Sequence, residues 1–253
     1  MSVDQRSDTQ TLSPPMMQLF KDLRSVSKLP KVTISLMAAR TADNDPFYER
    51  VVHSFYRDAR KRHARFPLIR NLQYGVALFP LPKKPDDYLG LIEASARRNI
   101  KKAVRLGYTV SRIDFNRHRS EIAAIIRSTP ARQGPMPACL MTGEINEISD
   151  PPSRTPFHDY IHLGVMKDAE LRAYCSCFVA GELFSVNDIF GHHAHQSDGI
   201  VPLLLTEAVS YALAHHPQAK YCMYDKYFGA STTLRRFKKK FGFVPHKVEW
   251  SLD

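Results

Sequence analysis

Glu182-Leu183-Phe184-Ser185-Val186-Asn187-Asp188-Ile189-Phe190 is a short run of apolar, β-branched and aromatic residues, and it reads as a strand. The residues after it decide the fold. Residues 191–199 are polar and turn-rich, and Pro202 then opens Leu203-Leu204-Leu205-Thr206-Glu207-Ala208-Val209-Ser210-Tyr211-Ala212-Leu213. Proline suits a first helical turn because the N–H it lacks would be unbonded there. Leu205, Ala208, Val209 and Ala212 recur at helical spacing and share one face. Tyr221-Cys222-Met223-Tyr224 reads as a second strand, and residues 232–241 as a second helix that Gly242 stops in the manner of a C-cap.

Upstream of this unit the hydrophobic period alternates between the two kinds of element. Residues 31–37 and 72–81 read as strands, 47–63 and 88–106 as helices, and 83–87 as a linker. From Tyr108 a strand (108–114) and a helix (119–127) with Ile122, Ile125 and Ile126 inward are expected. Residues 128–157 form a long connection rich in proline, glycine and methionine; a loop of that length is usually functional. Strands over 160–166, 171–180 and 182–190 come next as a meander turning at Lys167-Asp168-Ala169 and Gly181. Residues 1–15 are polar and end in Ser13-Pro14-Pro15, which predicts a disordered arm; 16–27 suit a short helix.

Composition narrows the partners. With 253 residues and 43% hydrophobic content the chain is long enough to bury a substantial core. Its formal net charge of +11 favours a polyanionic partner: nucleic acid, a phosphate-bearing cofactor or an anionic surface. Cys139, Cys175, Cys177 and Cys222 lack zinc-ligand spacing, which fits a reducing, cytoplasmic compartment. No apolar run approaches the ~20 residues of a membrane span. The polar start of the chain predicts no signal peptide.

The run described first resembles the second half of a GNAT-fold acyltransferase. Within that superfamily it is most similar to the Fem-type peptidyltransferases, which take amino acids from aminoacyl-tRNA. The shared features are Pro202-Leu203-Leu204-Leu205 opening a helix, Tyr224-Asp225 followed by Gly229, and Leu234…Phe237-Lys238…Phe241-Gly242-Phe243. Arg97-Arg98-Asn99-Ile100-Lys101-Lys102-Ala103 before Gly107-Tyr108-Thr109-Val110 resembles the same group's passage from helix to strand. Together these span roughly the last 160 residues. The resemblance implies an α/β (α+β) fold: a GNAT-like mixed central sheet flanked by helices over residues 88–253, with a small α/β N-terminal part over 16–87. Fem-type proteins carry two GNAT units, and this chain has room for one.

The implied activity is transfer of an acyl or aminoacyl group from an activated carrier to an amine. GNAT folds seat the donor where two parallel strands splay, with the N–H groups of the following helix turned to its phosphates. The matching turn here is Gln196-Ser197-Asp198-Gly199-Ile200-Val201, in which Val201 stands where the pattern has a small residue. Asp198 either caps the helix or faces the pyrophosphate and repels it. Where CoA-dependent members carry a leaving-group tyrosine, this chain has Lys238, and Phe237-Lys238 matches the Fem-type pair. A lysine suits an ester leaving group on tRNA, while Arg235-Arg236-Phe237-Lys238-Lys239-Lys240 also reads as a solvated basic face.

Asp225 and Asp188, at strand ends, are alternative bases; Tyr224 and Tyr227 are alternative proton donors. His158 is placed in an acceptor pocket. His192, His193 and His195 read as a polar loop, and no metal is expected. Arg98, Lys101, Lys102 and Arg105 form one stripe and Arg235, Arg236 and Lys239 another, together a surface for tRNA phosphates. The donor, aminoacyl-tRNA or acyl-CoA, stays open at this point, as does a non-catalytic RNA- or anion-binding role. The acceptor is a small-molecule or peptide amine, and the oligomeric state is unread.

Overall fold

The structure, a computed structural model, describes residues 28–41, 45–63, 69–131 and 138–253. The arm over 1–15, the short helix over 16–27 and part of the long connection lie outside the described residues.

The chain runs β1 (Lys31–Ser35), α1 (Pro46–Arg60), β2 (Tyr74–Pro80), α2 (Pro85–Leu91), α3 (Ala94–Arg105), β3 (Thr109–Arg112), α4 (Arg119–Arg127) and α5 (Ala138–Thr142). It continues with β4 (His158–Lys167), β5 (Glu170–Ala180), β6 (Leu183–Gly191), α6 (Ile200–His215), β7 (Tyr221–Lys226), α7 (Thr232–Lys240) and β8 (Val244–Ser251). One mixed eight-stranded sheet in the order β1-β8-β2-β7-β6-β5-β4-β3 joins all the strands. Strands β3 to β6 are an antiparallel meander, β6 and β7 are parallel, and β2 lies antiparallel between β7 and β8. This is the mixed sheet flanked by helices that a GNAT-like fold requires. The strands of the N-terminal part, β1 and β2, complete the same sheet and do not form a layer of their own.

Side-chain alternation sorts the two faces. Cys175, Cys177, Phe184 and Val186 point into a core shared with α2, α3, α6 and the end of α7. Phe178, Leu183 and Met223 point the other way, towards α1 and Trp250, and Ile122, Ile125 and Ile126 of α4 pack on Leu171 and Tyr174. Helix α6 buries Leu203, Leu204 and Leu205 at no more than 2% exposure. At about 2 kcal/mol for each buried leucine, this fixes the helix, and with it the turn before it, firmly on the sheet.

The structure departs from the sequence reading in several elements, among them α5, which lies within the connection expected over 128–157. The helix expected over 88–106 is two helices, broken at Ile92-Glu93 where both residues are extended. There the Glu93 N–H donates to the Lys240 carbonyl at 2.9 Å, so a tertiary bond to the end of α7 replaces a helical one. Strand β8, which the sequence reading omitted, lies inside the sheet between β1 and β2. Pro245 and three charged or titratable neighbours obscure its pattern, yet His246, Val248 and Trp250 alternate as buried residues. Helix α6 also begins two residues before Pro202, with Gly199 as its N-cap.

Candidate active site

Strands β6 and β7 pair through only three residues, Leu183↔Tyr221, Phe184↔Cys222 and Ser185↔Met223. Beyond them β6 stays on β5 as far as Gly191, and β7 stays on β2 as far as Lys226, so the two parallel strands part. Irregular backbone marks the parting on both sides. In β6 Asn187 is an extra residue, because Ser176 faces Asp188 while Cys177 faces Val186. In β7 the pairing shifts between Leu78↔Met223 and Val76↔Lys226, and Asp225 takes a left-handed φ of 49°. An aspartate in that conformation at a strand end is a costly arrangement of the kind concentrated at functional sites.

Lys238 reaches this parting from α7. It is fully buried, its Nζ donates to the Lys226 carbonyl at 2.6 Å, and it sits 4.7 Å from the centre of the Tyr224 ring. Burial lowers its pKa to about 8, against the raising influence of nearby Asp225. No ion pair joins it to a carboxylate among the described residues. It is therefore not one of the solvated lysines of its basic run. Tyr224 is also desolvated, and with Asp225 and Asp188 near, its hydroxyl is held well above the usual tyrosine range. Phe237 packs its ring 6.4 Å from Tyr224, and Arg235 lies 5.9 Å from the centre of Tyr227.

The turn from Gln196 to Val201 is pinned to α3. Lys102 Nζ donates to the Ser197 carbonyl at 2.8 Å and pairs with Asp198 at 3.3 Å; Tyr108 donates its hydroxyl to Asp198 at 2.8 Å. The Tyr108 bond and then Lys102 hold the Asp198 carboxylate below its ordinary pKa. Asp198 therefore neither caps α6 nor stands uncompensated at its N-terminus. Gly199 has φ +87°, and a Cβ there would lie 2.3 Å from the Asn99 carbonyl oxygen. Gln196 and Ser197 are exposed; Ile200 is buried, and Val201 is half-buried against Gly191.

On the opposite face of the sheet, a cavity of about 280 Å³ opens over β4, β5 and β6. Its polar wall is a row across three strands, for His162 pairs in register with Ser176 and Ser176 with Asp188. Phe47, Phe115, Ile148 and Tyr160 supply the apolar wall. Ser176 Oγ lies 3.0 Å from His162 Nδ1, and Asp150 Oδ2 lies 3.5 Å from His162 Nε2, which makes no hydrogen bond among the described residues. Burial lowers the imidazole to about 4, and burial raises Asp150 to about 6 although Arg112 opposes it. Asp188 is exposed as a residue, yet its carboxyl lines the cavity and lost hydration raises its pKa.

The expected residues thus fall into groups. Tyr224 and Lys238 meet on the α6 side of the parting, with Asp225 near enough to act on both, and Asp188 lines the cavity on the other side. His158 does not line the cavity: it is buried at the start of β4 with Nε2 3.0 Å from the Leu36 carbonyl oxygen. His162, four residues on, takes that place. Arg98, Lys101, Arg105, Arg236 and Lys239 are exposed, but Lys102 is engaged with Asp198, and Arg235 Nε donates to the Ala230 carbonyl. A second hollow, of about 420 Å³, adds Arg60, Arg70 and Lys247 as basic groups near Tyr56 and Trp250. Among the described residues no group of three or more histidine, cysteine or acidic side chains is arranged to hold a metal. No described helix is long and apolar enough to cross a membrane.

The fold is similar to that of FemX, with a TM-score of 0.53 and 13% identity over 68% of this chain and 59% of the FemX chain. The chain therefore spans about three fifths of the protein it matches. A conserved protein of unknown function from Bacteroides thetaiotaomicron gives a TM-score of 0.47 at 12% identity, over 68% of this chain and 58% of its own. A tandem GNAT protein from the clavulanic acid biosynthesis pathway gives 0.45 at 12% identity, over 86% and 59%. At such identities the likeness speaks to fold alone, and for the FemX match it agrees with the Fem-type resemblance read from Pro202 to Phe243. No protein-family model and no curated protein matches the sequence.

Proposed function

We propose that this chain transfers an acyl or aminoacyl group from an activated carrier to an amine, forming an amide. The observation that carries this reading is the buried ammonium of Lys238 at the β6–β7 parting. With a pKa of about 8 it holds its proton at neutral pH and gives it up more readily than a solvated lysine. An acceptor ammonium first yields one proton to Asp188. The amine attacks the donor carbonyl carbon; the C–N bond forms and the C–O or C–S bond to the carrier breaks. Lys238 steadies the oxyanion and protonates the departing oxygen or sulfur, and the nitrogen's second proton restores it. One ammonium and one ester or thioester become one amide, one alcohol or thiol, and one proton.

We favour aminoacyl-tRNA as the donor. The Phe237-Lys238 pair stands as in the Fem-type pattern, and a charge of +11 with exposed Arg98, Lys101, Arg105, Arg236 and Lys239 favours a polyanion. One observation supports acyl-CoA as a second reading: Lys102 offsets Asp198, so that carboxylate does not bar a pyrophosphate from the start of α6. Three buried free cysteines fit a reducing, cytoplasmic setting for either donor.

The test is binding of the purified protein to deacylated tRNA and to acetyl-CoA, titrated over salt. Binding of tRNA with a steep salt slope, and none of acetyl-CoA, supports the first donor. Saturable acetyl-CoA binding, with tRNA lost near physiological salt, supports the second. Failure of both overturns the transferase reading.

A further inference from the structure

We propose that the cavity over β4, β5 and β6 is a subsite for a primary ammonium carried on an uncharged apolar arm. This rests on the transferase reading for its role but not for the binding itself. One carboxylate, Asp188 from β6, lines it, and a second, Asp150 from the loop before β4, stands behind the wall at 3.5 Å from His162 Nε2. The imidazole is 2% exposed, lines the cavity, and leaves Nε2 without a hydrogen bond among the described residues. Asp150 Oδ2 is its nearest charged neighbour at 3.5 Å, too long for a good hydrogen bond, so the wall carries a buried polar atom that is not fully satisfied. Its ring lies 5.1 Å from that of Phe115 and 5.5 Å from that of Tyr160, which gives the wall aromatic faces as well as acids.

The chemistry selects one class of ligand. A primary ammonium can pair with Asp188 while its arm lies on Phe47, Phe115 and Ile148, and aromatic faces attract such a cation. A carboxylate on the same arm would meet Asp188, with Asp150 behind the His162 ring adding to the negative field. Arg112, the guanidinium that acts on Asp150, is already directed at Asp159, 3.6 Å away, and Asp114 adds a further negative charge beside Asp150. A volume of about 280 Å³ holds an arm the size of a large amino-acid side chain. The roof is anchored, because Tyr48 at the start of α1 donates its hydroxyl to the Pro151 carbonyl at 2.9 Å. With the amine at Asp188, its nitrogen stands beside the β6–β7 parting, where the donor carbonyl is to be presented.

The probes are phenethylamine and its carboxylate-bearing counterpart phenylalanine, with binding followed by calorimetry and by shifts of the His162 imidazole resonances. Phenethylamine is expected to bind saturably and at least tenfold more tightly than phenylalanine. Asp188→Asn is expected to weaken it at least tenfold, and Ser149→Trp, which fills the mouth from an exposed loop position, to abolish it in a folded protein. Equal binding of the two probes, no binding to the wild type, or indifference to both variants overturns the subsite. Because the readout needs no donor, the two readings fail separately. Binding with these properties but no transfer from either donor keeps the subsite and sinks the transferase. Transfer to amines that is unchanged in Ser149→Trp does the reverse.

Discussion

Lys238 Nζ donates to the Lys226 carbonyl at 2.6 Å, and this bond holds a buried ammonium at the end of the strand that parts from β6. Deleting the charge while keeping the volume separates catalysis from packing. Lys238→Met is expected to lower kcat by about a hundredfold to a thousandfold, the loss typical of one oxyanion-stabilising group, with donor Kd changed little. Single-turnover kinetics beside equilibrium binding would decide it. Unchanged turnover would remove Lys238 from the chemistry and leave it a packing residue.

The same lysine predicts a pH signature in stability. It keeps its proton to about pH 10.5 in the unfolded chain but only to about 8 in the fold. Between those values the unfolded chain holds the extra proton, so stability rises with pH there, by on the order of 3 kcal/mol. Denaturant midpoints measured from pH 7 to 10.5 for wild type and Lys238→Met should converge as pH rises: the variant lacks this rise and is the more stable of the two below pH 8.

His162 carries the opposite window. Its folded pKa of about 4 lies below the ordinary 6.5, so the fold keeps it neutral while the unfolded chain takes up a proton. Stability is then lost as pH falls from about 6.5 towards 4. Asp150, raised to about 6, works against this, because it gains a proton in the fold first. His162→Gln in an Asp150→Asn background isolates the imidazole, and its unfolding midpoint should be flatter than that of Asp150→Asn alone over this range.

Much of this arrangement was legible in the sequence, for reasons that differ by residue. The turn at Gly199 and the cap at Gly242 are written in backbone chemistry, and Ile122, Ile125 and Ile126 in helical spacing, so α4 spans the residues expected. The Phe-Lys resemblance singled out Lys238, but its burial is invisible inside a run of basic residues that are otherwise solvated or half-buried. The row His162–Ser176–Asp188 depends on cross-strand register, which no local pattern fixes. Strand β8 was readable from the alternation of His246, Val248 and Trp250, and Pro245 masked it. The break between α2 and α3 is tertiary, set by the Lys240 carbonyl, and the sequence near Glu93 has no residue that dictates it.

The donor turn offers the last test, because two glycines with nearly the same backbone differ in what surrounds them. Gly199 has φ +87° and Gly107 has φ +84°, so an alanine at either suffers the same left-handed strain, about 1–2 kcal/mol. Around Gly107 nothing lies within 4 Å of the added carbon, and the cost should end there. At Gly199 the carbon would sit 2.3 Å from the Asn99 carbonyl oxygen, which belongs to the α3 backbone and cannot swing aside. Either α3 or the turn must move, adding about 1–3 kcal/mol of overpacking cost and disturbing the Lys102–Asp198 pair that pins the turn. Gly199→Ala should therefore be the more destabilised variant by chemical denaturation and should lose donor affinity, while Gly107→Ala binds donor as the wild type does. Equal stability loss with donor binding intact in both would mean that the turn is only a connection, and the donor site would have to be sought elsewhere along the β6–β7 parting.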